Sequence, residues 1–198
     1  MSDIRSTDPQ LLLEAARVFN AAGRDYRGAA EVVAELALQA KDKAEPPVRQ
    51  AIIGDAAALR LSGRVPGGYR AAMGLLDGTA DTKEADPEGR LHLLRALANG
   101  QKYKEARQSG KPGQDRELEA IRRQIRKDLA FAFEQNPTLR SANKHFWQPT
   151  ALSTVSEGDR EDDLRAVFQD DPEFRKLVSP APDGNTNAEP SAGGDRQP

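Results

Sequence analysis

A short phrase that occurs three times places strong limits on how this chain can fold. Alanine follows tyrosine by three positions at Tyr26, Tyr69 and Tyr103, and a glycine stands shortly before each tyrosine. The tyrosines are 43 and 34 residues apart, which is a spacing typical of stacked helical repeats. Because each copy follows a leucine- and alanine-rich stretch, we expect three helix-turn-helix units, and such an array favours a binding scaffold over a catalyst.

The composition agrees with an all-α fold. The chain has 198 residues, enough for one domain with a core and tails. Strand-favouring aromatic residues are sparse, with 6 Phe, 3 Tyr and 1 Trp. Ala, Leu, Arg, Glu and Gln dominate most segments, and these residues favour helices.

Apolar stripes with helical spacing predict where the helices lie. Asp8 and Pro9 supply an N-cap and a first helical residue, and Gly23 ends that helix. The further helices are predicted over about 26–41, 46–62, 67–77, 90–100 and 115–135, with a truncated helix that begins at Tyr103. Because this helix is cut short, we expect the helix over 115–135 to pack against the helix over 90–100 in its place.

The same patterns divide the chain into four parts. We expect a disordered N-terminus over 1–7, a helical repeat domain over 8–135 and a C-terminal capping region over 136–178. Residues 179–198 are rich in Pro, Gly, Asn and Asp, so they cannot offset their ordering entropy and are predicted to form a disordered tail.

The repeated pattern resembles the tetratricopeptide repeat (TPR), in divergent form. The matching positions are Leu12, Ala16, Phe19, Gly23, Tyr26 and Ala29 in the first unit; Ile52, Ala56, Leu59, Gly63, Tyr69 and Ala72 in the second; and Leu93, Gly100, Tyr103 and Ala106 in the third. The resemblance implies a right-handed α-solenoid of about three helical hairpins. It also implies a non-catalytic adaptor that binds a partner protein or peptide in a helical groove.

The charge pattern argues against a nucleic-acid partner. The net charge is −2 and the pI is about 5.8, whereas nucleic-acid binding draws on clustered basic surface. Charge is nevertheless polarised, since 102–128 is basic and 156–173 is acidic. The basic run over 122–127 has three interpretations: a solvated helix face, a contact for phosphates or an acidic partner, or a pairing surface for the acidic region of the same chain.

Several other classes find no support in the sequence. There is no cysteine, so a disulfide framework and a thiolate metal site are excluded. Asp159, Glu161 and Asp163 alternate as calcium ligands do, but the glycine and the final glutamate of a calcium loop are missing. We therefore expect no metal or cofactor. The N-terminus lacks a secretory signal and no long apolar run occurs, which predicts a soluble, cytoplasmic protein without a membrane partner.

Two histidines keep an enzymatic alternative open. His92 lies on a helix that is apolar nearly all round, where a core role is favoured over a role as catalytic base. His145 adjoins Phe146 and Trp147, a cluster interpreted either as an anchor for the capping region or as a peptide-binding hot spot. A hydrolase that uses His92 or His145 is the alternative from a different class.

The resemblance implies that the first helix of each pair lines a concave groove, so the candidate binding residues on these helices lie outside the apolar stripes. They are Arg17, Asn20, Gln50, Arg60 and Arg90, together with Trp147. Their bias to arginine and amide groups predicts an acidic or C-terminal peptide as the partner, while an ordinary hydrated face is the alternative. A client-specific chaperone is a further alternative to the adaptor.

Overall fold

The computed structural model describes residues 8–62, 68–78, 85–142, 164, 167 and 171–178. Within these ranges every regular element is helical and no strand occurs, which confirms the predicted all-α class. The helices are α1 (Pro9–Ala21), α2 (Arg27–Ala40), α3 (Pro46–Ser62), α4 (Gly68–Leu76), α5 (Arg90–Ser109), α6 (Asp115–Gln135), α7 (Thr138–Ala142) and α8 (Pro172–Val178). Within the same ranges, no helix is long and apolar enough to cross a membrane.

Local sequence signals set several of the helix ends. The Asp8 carboxylate accepts hydrogen bonds from the backbone N–H groups of Gln10 and Leu11, at 2.9 and 3.5 Å, and Pro9 begins α1. These N–H groups would otherwise lack a partner at the helix start. Gly23 adopts a φ of 103° after α1, a conformation that suits glycine. The predicted start and end of the first helix are therefore confirmed.

Consecutive helices pack as pairs: α1 on α2, α3 on α4, and α5 on α6. The pairs also contact one another, because α2 meets α3 and α4 meets α5. In addition, the first helices touch in series, α1 on α3 and α3 on α5. One continuous apolar core runs through all of these contacts.

The third unit differs from the sequence prediction. Helix α5 continues through Gly100 to Ser109, so Gly100 ends no helix and Tyr103 does not follow a turn. A glycine inside a helix costs about 1 kcal/mol relative to alanine, and the burial of Tyr103, which is 2% exposed, offsets that cost. Helix α6 then packs against this longer partner.

The three tyrosines accordingly occupy different environments, which corrects the expected equivalence. Tyr26 is 52% exposed and its ring stacks on Phe19 with centroids 6.4 Å apart. Tyr69 is buried in the first turn of α4, and Tyr103 is buried in the middle of α5. The three tyrosines that the repeat pattern matches to one another therefore have no environment in common.

A buried ion pair joins α5 to α6. Asp128 is fully buried and the Arg95 side chain is 8% exposed. Arg95 donates from Nη2 to Asp128 Oδ1 at 2.7 Å and from Nε to both carboxylate oxygens at 3.1 and 3.2 Å. Gln124 adds a hydrogen bond to Oδ1 at 3.0 Å. The carboxylate is thereby compensated inside the core, as a buried charge requires.

The C-terminal segment closes on α6. Asp171 accepts hydrogen bonds through Oδ1 from the backbone N–H groups at the start of α8, while its Oδ2 pairs with Arg126 Nη1 at 2.5 Å. Phe174, Leu164 and Val167 are fully buried. Of the three interpretations of the basic run, pairing with the acidic region of the same chain therefore holds for Arg126.

Candidate functional site

A groove of about 420 Å³ runs along the first helices of the three pairs. Helix α1, the second half of α3 and the first residue of α5 supply its walls. The lining residues are Ala16, Arg17, Asn20, Ala21, Asp55, Ala58, Leu59, Ser62 and Arg90. Its volume falls in the range of small-ligand sites, and its walls combine an apolar floor with a few charged groups.

The charged groups form one cluster around Asp55. Arg17 donates from Nε to Asp55 Oδ2 at 2.5 Å, and Arg90 donates from Nη2 to the other oxygen, Oδ1. One carboxylate on α3 therefore joins an arginine of α1 to an arginine of α5. The fold brings together residues that are 38 and 35 positions from Asp55 in the sequence.

Both arginines keep N–H groups available to a ligand. The Arg17 side chain is 51% exposed and that of Arg90 is 38% exposed, whereas Asp55 is 15% exposed. Each arginine contacts Asp55 through a single nitrogen. Within the part of the chain that the structure describes, neither has another hydrogen-bonded partner. Since a guanidinium carries five N–H donors, most of the donors in this cluster can still meet an anion.

The side chain of Arg90 lies against α3 at Gly54. A β-carbon at Gly54 would sit 3.5 Å from the Arg90 guanidinium carbon and 3.4 Å from Leu91 Cδ2. Both are ordinary van der Waals distances, so a β-carbon would fit there. Because Arg90 contacts α3 at the residue before Asp55, the first residue of α5 reaches the cluster.

A third arginine supports the end of the groove. Arg27 of α2 donates from Nη2 to the Leu59 carbonyl at 2.8 Å and from Nη1 to the Ser62 carbonyl at 3.3 Å. These are carbonyls of the last turn of α3, which lack backbone donors within the helix; the Leu59 carbonyl also accepts the Ser62 hydroxyl at 3.1 Å. A cation at a helix C-terminus is also favourable for the helix dipole. Arg27 therefore fixes the part of α3 that lines the groove.

The structure separates Arg60 from the other predicted residues. Arg60 lies in a second, smaller groove of about 150 Å³ between α2 and α3. Its Nη2 pairs with Glu35 at 3.1 Å and its Nη1 donates to the Ala71 carbonyl at 3.0 Å. The sequence reasoning placed Arg60 on the same face as Arg17. Arg60 lies five positions after Asp55 on α3, which is about 1.4 turns, so its side chain leaves the helix more than a third of a turn away from that of Asp55.

Gln50 and Trp147 do not join the cluster either. Gln50 is half-buried near the start of α3 and is not among the residues that line the groove. Trp147 and His145 lie outside the described residues, as do Asp159, Glu161 and Asp163. Of the six predicted binding residues, the structure thus brings together Arg17, Asn20 and Arg90.

His92 has an acidic neighbour but little access. Its Nδ1 lies 2.7 Å from Asp86 Oδ2, and the same oxygen accepts the His92 backbone N–H at 2.8 Å. The imidazole stacks on Phe131 with centroids 3.9 Å apart. His92 is 6% exposed and Asp86 is 3% exposed, and neither groove described above is lined by them. Asp86 thus provides an acceptor for the His92 backbone N–H in the first turn of α5, as a helix-capping side chain does.

Sequence reasoning missed Asp55 and Arg27. Asp55 is the one acidic residue of α3, and a lone carboxylate within the otherwise apolar run 51–59 is a signal that could have marked it. Arg27 gives no such signal, because its targets are backbone carbonyls 32 and 35 positions away.

Comparison of this chain with protein-family models, with curated proteins and with solved structures found no match.

Proposed function

We propose that this protein is a non-catalytic scaffold that binds an acidic segment of a partner protein in the groove around Arg17, Asp55 and Arg90. The observation that carries the proposal is the cluster itself: two arginines from different helices, held side by side at the edge of an apolar groove. Arginine is enriched at binding hot spots, and its planar fork suits carboxylate groups.

The helix contacts support a stacked arrangement of hairpins. Paired helices with first helices in series, α1 on α3 and α3 on α5, are the contacts that a right-handed α-solenoid of TPR-like units would make. Such stacks use the surface formed by successive helices for binding. The groove described here lies along those first helices, so its position agrees with that architecture.

The charge of the groove favours an anionic ligand. Two arginines and one aspartate give a local balance of +1, although the whole chain is −2. The floor of Ala58 and Leu59 can accept apolar side chains that flank the acidic residue of a peptide. A short peptide that combines an acidic and an apolar residue therefore fits better than a purely charged polymer.

Charge reversal in the groove tests this proposal. The double variant Arg17→Glu/Arg90→Glu should weaken binding of a fluorescein-labelled peptide of alternating glutamate and leucine by more than about tenfold, because two favourable charges become repulsive. Fluorescence anisotropy measures the affinity, and circular dichroism checks that helicity is kept.

The matched control is Arg123→Glu/Lys127→Glu, which makes the same change of charge on exposed positions of α6. This control should bind the peptide nearly as the unchanged protein does. Equal losses in both double variants would mean that binding follows net charge alone. Unchanged affinity in the groove variant would remove Arg17 and Arg90 from the site and refute the proposal.

The buried His92 and Asp86 pair does not lead us to propose a hydrolase. A general base must come within hydrogen-bond reach of its substrate, and no groove described above reaches His92. The cap of α5 accounts for the contacts of Asp86.

A further inference from the structure

We infer that Asp55 lowers the affinity of the groove for a ligand group with two negative charges relative to its affinity for a group with one. This inference rests on the proposed function, because it concerns the ligand of the same groove. It assigns to Asp55 the part of a specificity-determining residue, in contrast to the two arginines that contact the ligand.

The first argument is the charge of the cluster. Arg17, Arg90 and Asp55 together carry +1. The two arginines attract each negative charge of a ligand, and the Asp55 carboxylate repels each of them. A phosphate group with two negative charges therefore meets the repulsion from Asp55 twice, whereas a peptide carboxylate meets it once.

The second argument is geometry. Asp55 is 15% exposed and lies under both guanidinium groups. A ligand that uses the remaining N–H groups of Arg17 and Arg90 must therefore sit on the outer side of the same two arginines. Two unit charges about 6 Å apart in largely aqueous surroundings change an affinity roughly threefold to tenfold. Asp55 should impose a penalty of this size on each additional negative charge of the ligand.

Asp55 also keeps the arginines in place. Two guanidinium groups repel each other, and the shared carboxylate offsets that repulsion. For this reason Asp55→Asn changes two things at once, the charge and the order of the arginines. A ratio of two affinities isolates the charge effect, since looser arginines weaken both ligands alike.

The test uses two small probes that differ in charge: N-acetylglutamate amide, with one negative charge, and N-acetylphosphoserine amide, with nearly two at a pH well above its second pKa of about 6. Both are titrated at constant ionic strength while the side-chain Nε–H signals of Arg17 and Arg90 are followed by NMR. The ratio of the two affinities in the unchanged protein serves as the reference. In Asp55→Asn we expect the ratio to move roughly threefold to tenfold toward phosphoserine.

Asp55→Glu keeps the charge and should keep the ratio of the unchanged protein. An unchanged ratio in Asp55→Asn would overturn the inference and leave the proposed function standing. If neither probe moves the two arginine signals, the inference and the proposed function both fail. Should Asp55→Asn not fold, Asp55→Gln removes the same charge, and an unchanged ratio in that variant would equally overturn the inference.

Discussion

The ion pair between Arg95 and Asp128 gives the sharpest stability prediction. Replacement of Asp128 by asparagine keeps the size of the side chain but removes its charge. The Arg95 guanidinium then stays inside the core, 8% exposed, without the carboxylate that now accepts three of its hydrogen-bond contacts. Breaking a buried pair by removal of one partner costs about 3–5 kcal/mol.

This cost is a large share of the total stability. The free energy of unfolding of such a domain is about 5–15 kcal/mol, so Asp128→Asn should lower the denaturant midpoint strongly. The double variant Arg95→Met/Asp128→Leu removes both charges and fills the space with apolar atoms. Such replacements are neutral or stabilising by about 1–4 kcal/mol, so the double variant should be more stable than Asp128→Asn.

Chemical denaturation followed by circular dichroism measures these differences. Glu134→Gln is the control, because it neutralises an exposed carboxylate of the same helix and should stay within about 0.5 kcal/mol of the unchanged protein. The reasoning fails if Asp128→Asn loses less than about 1 kcal/mol, a value expected for a solvated pair. It fails equally if the double variant is as unstable as the single one.

Two further predictions concern backbone and pH. Gly89→Ala should lower the free energy of unfolding by about 2–4 kcal/mol, because Gly89 has a φ of 69° and a β-carbon there would lie 2.6 Å from a backbone oxygen of α6. The control Gly110→Ala, with a φ of 59° and open space around it, should lower it by about 1 kcal/mol. Equal losses for the two variants in denaturant titration would contradict the close approach at Gly89. Burial raises the pKa of the Tyr69 phenol, and the nearby Glu105 raises it further. The folded state therefore favours the neutral phenol. This contribution to stability is present below the ordinary pKa of about 10 and is lost as the pH rises through the pKa of the folded state. Alkaline titration of tyrosinate absorbance measures this pKa. The unchanged protein should show an ionisation step above pH 10 that Tyr69→Phe lacks. If the step that Tyr69→Phe lacks lies at or below pH 10, the assignment is refuted.

The sequence by itself determined the features that depend on a few neighbouring residues. Asp8 and Pro9 predict the start of α1 because a cap acts on N–H groups two and three positions away. The apolar stripe predicts α6 over Asp115–Gln135, the bounds that the structure shows. Helical spacing of apolar side chains is a local property, and it is sufficient to place most helices.

Only the tertiary structure decided which side chains meet. Gly100 looked like a helix end, but the packing of α5 against α6 and the burial of Tyr103 outweigh the small cost of a glycine within a helix. Apolar periodicity likewise does not specify how far each helix is rotated or shifted against the next. That rotation places Arg17 and Arg90 on Asp55, turns Arg60 toward Glu35, and so selects the groove from a longer list of candidate residues.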